Sequence, residues 1–211
     1  MVFENLKRMR SFITKMTAKG QKRKIRQEKI DELQNEVSFS SDEIKDWFYE
    51  YNKRLGEGHK ELTKEEFKDV YNSIFAGDAS EFAEHVFRTF DRDGNGTVDF
   101  KEFLIGLCVS GSDDTAAKLS WAFKMYDIDG DGYISRQEMR SIMSAIYKMT
   151  ELQNPDETGS QASAEDLADR FFEDFDTNKD GLVSWAEFRV GATNDQTIIS
   201  LLECNPDTDP E

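Results

Sequence analysis

Apolar residues along this chain come in short bursts at helical spacing, broken by polar stretches about a dozen residues long. Phe87 and Phe90, Phe123 and Tyr126, and Phe172 and Phe175 form three aromatic pairs, and each pair stops where a polar stretch begins. Beyond the stretch the series resumes, as in Phe103, Leu104 and Leu107 or in Met139, Ile142 and Met143. Steps of three and four place such side chains on one helix face. Within each polar stretch one β-branched residue stands in isolation: Val98, Ile134 or Val183. It suits a short strand pairing two stretches edge to edge. The pattern predicts helix, loop and helix three times over.

The polar stretches carry the chemistry. DRDGNGTVDFKE (91–102), DIDGDGYISRQE (127–138) and DTNKDGLVSWAE (176–187) all fit D-x-[DN]-x-[DN]-G-x5-E without a mismatch. A calcium ion takes six to eight hard oxygen ligands at about 2.3–2.6 Å. Positions 1, 3 and 5 send short oxygen side chains inward, and glycine at position 6 makes the sharp turn without a Cβ clash. Position 7 offers its carbonyl, position 9 binds often through water, and glutamate at position 12 clamps with both oxygens. The expected ligands in the first loop are Asp91, Asp93, Asn95, the Thr97 carbonyl, Asp99 and Glu102. In the second they are Asp127, Asp129, Asp131, the Tyr133 carbonyl, Ser135 and Glu138. In the third they are Asp176, Asn178, Asp180, the Leu182 carbonyl, Ser184 and Glu187. Three matches in one chain identify the helix–loop–helix EF-hand and three Ca2+ sites, with Mg2+ an alternative occupant at rest. The third loop has the fewest carboxylates and is expected to bind most weakly.

EF-hands work in pairs, so three loops imply a fourth. Stepping back from Asp91 by the interval that separates Asp91 from Asp127 reaches LGEGHKELTKEE (55–66), with Leu62 at position 8 and Glu66 at position 12. Its front half fails: Leu55 replaces the first aspartate, His59 stands at position 5 and Lys60 at position 6. This hand is expected to bind no ion, while Leu62 still pairs with Val98. The fold expected is all-α, four EF-hands in two paired lobes with short β-bridges. The divisions read are an arm (1–30), a first lobe (31–108), a hinge (109–114), a second lobe (115–204) and an acidic tail (205–211).

Charge changes the picture at one end. Residues 1–30 hold ten Lys/Arg against two acids, in a chain of 211 residues with a formal net charge of −16. The acidic total argues against nucleic-acid partners. Cys108 and Cys204 form no ligand cluster and fit a reducing, cytoplasmic setting. No apolar run reaches the roughly 20 residues a membrane span needs. The two histidines, His59 and His85, have no partner set for zinc or catalysis and are read as bystanders; no enzyme is expected. In the arm, Val2, Leu6, Met9, Ile13 and Met16 form an apolar stripe among cations. Four readings stay open for it: peripheral contact with an anionic membrane, docking in the protein's own groove, a targeting presequence, or a solvated tail.

FAEHVFRTFDRDGNGTVDFKEFLIGL (82–107), LSWAFKMYDIDGDGYIS (119–135), SAIYKM (144–149) and IISLLECNPD (198–207) resemble the neuronal calcium sensor family, especially its hippocalcin, neurocalcin and visinin-like branch. The resemblance implies a silent first hand and a calcium-triggered apolar groove that grips an amphipathic helix of a target. Matching groove residues would be Trp47, Phe48, Phe67, Tyr71, Ile74, Phe75 and Leu107. The family's usual N-terminal Met-Gly acylation signal is not matched, since Val2 stands there. A calcium sensor acting on a membrane-associated signalling protein is expected, as a monomer or weak dimer. A calcium buffer, or an auxiliary subunit of an ion channel or guanylate cyclase, is the alternative.

Overall fold

A computed structural model describes residues 25–73, 75, 77–110, 114–150 and 163–194. The arm's apolar stripe, the groove candidate Ile74 and the 198–207 stretch lie outside them. Helix α1 spans Gln27–Gln34 and α2 spans Ser41–Arg54. Ser40 and Glu43 begin α2 with a reciprocal cap, each side chain taking the other's backbone N–H. That satisfies two donors the helix cannot satisfy itself. Strand β1 (Leu62–Thr63) leads into α3 (Lys64–Asn72), and after a turn α4 runs Ser80–Phe90. Strand β2 (Thr97–Val98) then leads into α5 (Phe100–Ser110). The second half repeats the plan: α6 (Thr115–Tyr126), β3 (Tyr133–Ser135), α7 (Arg136–Thr150), α8 (Ala164–Phe175), β4 (Leu182–Ser184) and α9 (Trp185–Asn194).

Each half closes on a two-stranded antiparallel ladder. Leu62 faces Val98 and Ile134 faces Val183, and all four side chains are buried. Phe87, Phe90, Phe123, Tyr126, Phe172 and Phe175 are buried as their spacing predicts. Phe67 packs against Phe90 at 5.3 Å between ring centroids, and Phe123 against Phe188 at 5.5 Å. Each ring removed from water contributes about 1.5–3 kcal/mol, plus its edge-to-face geometry. The fold is therefore an all-α EF-hand architecture with two short sheets.

The two halves touch through α4, which packs on both α6 and α7. Arg88 on α4 sends its Nη2 to the carbonyls of Met125 (2.7 Å), Lys124 (3.3 Å) and Asp127 (3.3 Å), capping the end of α6. Gly77 N donates to Met149 O at 3.2 Å, and Lys148 pairs with Glu81. A Cβ on Gly77 would stand 2.1 Å from the Lys148 carbonyl, so this seam requires glycine.

Candidate metal centres

Each loop is a chain of short side chains folded back on its own backbone. In the first, Asp91 accepts from Asn95 N and Gly96 N (3.0 Å each), Asp93 from Asn95 N (3.0 Å), and Asn95 from Thr97 N (2.8 Å). The second repeats it, with Asp127 accepting from Gly132 N (3.0 Å), Asp129 from Asp131 N (3.1 Å) and Asp131 from Tyr133 N (2.8 Å). The third does so through Asp176, Asn178 and Asp180. Short Asx side chains suit this, because they reach a backbone N–H two residues on. Gly96, Gly132 and Gly181 all adopt φ between 85° and 91°, the turn that position 6 demands.

Position 12 closes the ring. Glu102 accepts from Arg92 N (2.9 Å) and Asp93 N (3.3 Å) with one oxygen and from Asp99 N (3.0 Å) with the other. Glu138 accepts from Ile128 N (2.7 Å), Asp129 N (3.2 Å) and Ser135 N (2.7 Å). Glu187 accepts from Asn178 N (3.3 Å) and Ser184 N (3.0 Å). Position 9 also caps the outgoing helix, since Asp99, Ser135 and Ser184 each accept the N–H of their position-12 glutamate. The clamp is thus a capping box as well, a double use that the spacing S/T/D-x-x-E contains.

The electrostatics suit a cation. Glu102, Asp127 and Asp176 are buried acids, costly to ionise without a positive partner. Burial, with Glu138 and Asp131 adding to it, pushes the Asp127 carboxyl above its ordinary range despite the N–H groups of Gly132 and Gly130. Its Oδ1 is buried without a hydrogen-bond partner. Burial also presses on Glu138, but the Ser135 N–H and hydroxyl and the amides of Asp129 and Ile128 outweigh it and lower its pKa. Glu187 is held down to about 2, chiefly by the Ser184 N–H and hydroxyl. Ligand oxygens of Asp91, Asp93 and Glu102 lie within 4.8 Å of one another, as do those of Asp127, Asp129 and Asp131. Two oxygens bound to one Ca2+ at about 2.3–2.6 Å can be no more than about 5 Å apart, so both clusters fit this ion. The 176–187 loop, with Asn178 at position 3, forms no such all-acid cluster among the described residues.

The 55–66 loop is built differently. Gly58 at position 4 has φ 84°, but Lys60 at position 6 makes no positive-φ turn, and Leu55 offers no oxygen to the backbone. Glu66 nevertheless accepts from Gly56 N and from Thr63 N (2.8 Å), and His59 Nδ1 lies 2.8 Å from its Oε1. Burial raises the Glu66 pKa, but the Thr63 N–H, His59 and the Gly56 N–H outweigh it and hold it low. The sequence gives His59 no partner; the structure supplies one.

Of the groove candidates, Trp47, Phe67, Tyr71 and Leu107 are buried in the core, and Phe48 and Phe75 are half-buried against it. Phe100 and Phe103 join this aromatic set, Phe48 meeting Phe100 at 5.0 Å and Tyr51 meeting Phe103 at 5.4 Å. No helix of the described residues is long and apolar enough to cross a membrane.

Among known proteins, residues 59–105 and residues 116–191 each match a model of an EF-hand domain pair. Recoverin from Homo sapiens is 34% identical over 182 residues, covering 84% of this chain and 88% of recoverin. S-modulin from Aquarana catesbeiana is 31% identical, with 84% and 88% covered. A guanylyl cyclase inhibitory protein from Lithobates pipiens is 33% identical, with 79% and 80% covered.

Proposed function

Because the chain belongs to the neuronal calcium sensor family, we propose that it is a calcium sensor with three working sites, at 91–102, 127–138 and 176–187. The observation that carries the reading is the inward-facing acid ring, above all the buried, unpartnered Asp127 Oδ1. An incoming Ca2+ supplies the positive charge that these oxygens lack. Mg2+ is smaller and demands near-octahedral geometry, so it fits such a ring less well and holds the sites only at rest.

Ion binding draws the position-12 glutamates inward and pulls on α5, α7 and α9, which begin beside them. In the first half this reorients α2 against α5, where Phe48 meets Phe100 and Tyr51 meets Phe103, and α3 against α4, where Phe67 meets Phe90. The opened face takes an apolar helix of a target protein, through Trp47, Phe48, Phe67, Tyr71, Ile74, Phe75 and Leu107. A guanylyl cyclase or a protein associated with one is the favoured target class, since a relative of similar length bears that activity in its name. The chain acts by binding rather than catalysis, at the cytoplasmic face of membranes, and residues 1–30 supply the contact with anionic lipid. Several cations near such a surface contribute roughly 1 kcal/mol each.

The test is calcium titration with an apolar fluorescent dye present, against a magnesium control. A sensor enhances dye emission as calcium fills the loops; calcium uptake with unchanged emission would make the protein a buffer. Co-sedimentation with anionic vesicles, comparing the full chain with a 1–24 deletion, tests the arm. Equal sedimentation of both would remove the arm from the reading.

A further inference from the structure

We infer that His59 serves the silent hand as a built-in substitute for calcium, and through Glu66 positions the 91–102 loop for its ion. This assignment rests on the reading of 91–102 as a calcium site.

In the three other loops the position-12 carboxylate ties the position-2 or position-3 amides to the position-9 amide. Glu66 makes the same tie, from Gly56 N to Thr63 N. What differs is position 5. There Asn95, Asp131 and Asp180 bring an oxygen toward the ion, whereas His59 brings a ring nitrogen 2.8 Å from Glu66 Oε1. An imidazole N–H donates to the carboxylate directly, so no shared cation is needed to hold the loop shut. The space is made for it: a Cβ on Gly56 would stand 2.5 Å from Glu66 Oε1 and 3.1 Å from His59 Nδ1.

The closed loop bears directly on its neighbour. Thr63, which gives Glu66 both its N–H and its hydroxyl, faces Thr97 across the ladder, and Leu62 faces Val98. Thr97 holds the position-7 carbonyl of the 91–102 loop, and its hydroxyl has two acceptors within reach, Glu61 at 2.7 Å and Asn95 Oδ1 at 2.6 Å. The far side of the same strand is pinned by Tyr51, whose hydroxyl donates to Val98 O at 2.7 Å. A first loop without ion or His59 would leave β1 free to shift, and the Thr97 carbonyl with it.

The experiment uses the full chain carrying Glu138→Gln and Glu187→Gln, which leaves 91–102 as the site read by calorimetric calcium titration. His59→Ala is expected to weaken binding about three- to tenfold, below the 10–100-fold typical of groups that touch a ligand directly. His59→Gln retains an N–H donor and should stay within about twofold of the parent. Rescue by glutamine separates positioning from bulk packing, because His59 is half-exposed and little apolar area is lost. In chains with the other two clamps intact, 127–138 affinity should not respond to His59→Ala. A parent that takes no calcium at 91–102 would overturn the sensor reading itself. A parent that binds, with His59→Ala binding equally well or His59→Gln falling as far as alanine, would overturn only the role of His59.

Discussion

Replacing His85 by glutamine tests whether one half-buried imidazole sets part of the acid sensitivity of the fold. His85 lies on α4; burial first, then the nearby Arg88 charge, lower its pKa from 6.5 to about 4, against a weaker upward pull from Glu84 and Glu81. The folded chain therefore keeps the ring neutral where the unfolded chain would protonate it. Above pH 6.5 both states hold it neutral. Below that the unfolded state binds more protons, so stability falls with pH until the folded ring itself protonates near 4. The difference between 6.5 and about 4 amounts to roughly 3.4 kcal/mol at the acid limit. With allowance for the ring's remaining exposure, about 1–2 kcal/mol should be lost between pH 7 and pH 5. Denaturant unfolding in chelator at pH 7, 6 and 5 measures it, the carboxylates titrating alike in both proteins. His85→Gln should lose about 1–2 kcal/mol less than the parent over this interval. Equal pH slopes would refute the argument.

Arg88→Ala removes the donor that caps three carbonyls at the end of α6, and charge-assisted bonds of this kind contribute about 1.5–3 kcal/mol. Its unfolding midpoint in chelator should drop accordingly, and the Hill coefficient of calcium binding should fall because α4 leads directly into Asp91. Gly77→Ala puts a methyl against the Lys148 carbonyl and should cost about 1–3 kcal/mol, read as a lower Tm. Among the clamp variants Glu102→Gln, Glu138→Gln and Glu187→Gln, the last should remove the weakest of the three binding steps in calorimetry; loss of the tightest step would reverse the ranking.

What was legible in the chain was whatever repeats. Aromatics at fixed offsets from each loop announced the buried faces of α4, α6 and α8, and a lone β-branched residue announced each ladder. The loop motif placed the acids because each position has a geometric reason of its own. Contacts made once and across long sequence distance left no such trace. Nothing in the sequence around Arg88 points to carbonyls some 37 residues away. Nothing in DWFYEYNKR sets Glu50 apart, yet it is 4% exposed and burial raises its pKa. His59 is a third case: with Leu55 and Lys60 beside it, the loop looks like a ruined site, and only the folded loop brings the ring to Glu66.

The survival of that ruined site has a physical explanation in the double use of positions 9 and 12. In the three complete loops the same pair occupies proposed ligand positions and caps the outgoing helix. Loss of the front ligands abolishes the first task without touching the second, so Thr63 and Glu66 still begin α3 with reciprocal bonds of 2.8–3.3 Å. Those bonds keep α3 in place, α3 keeps Phe67 against Phe90, and the ladder keeps Leu62 against Val98. A hand without the front ligands can therefore still be required by its partner. It follows that Glu66→Ala should harm the protein more than Leu55→Asp helps it. The first removes a helix cap and the tie that shuts the loop, whereas the second adds one oxygen to a loop whose position 6 cannot turn.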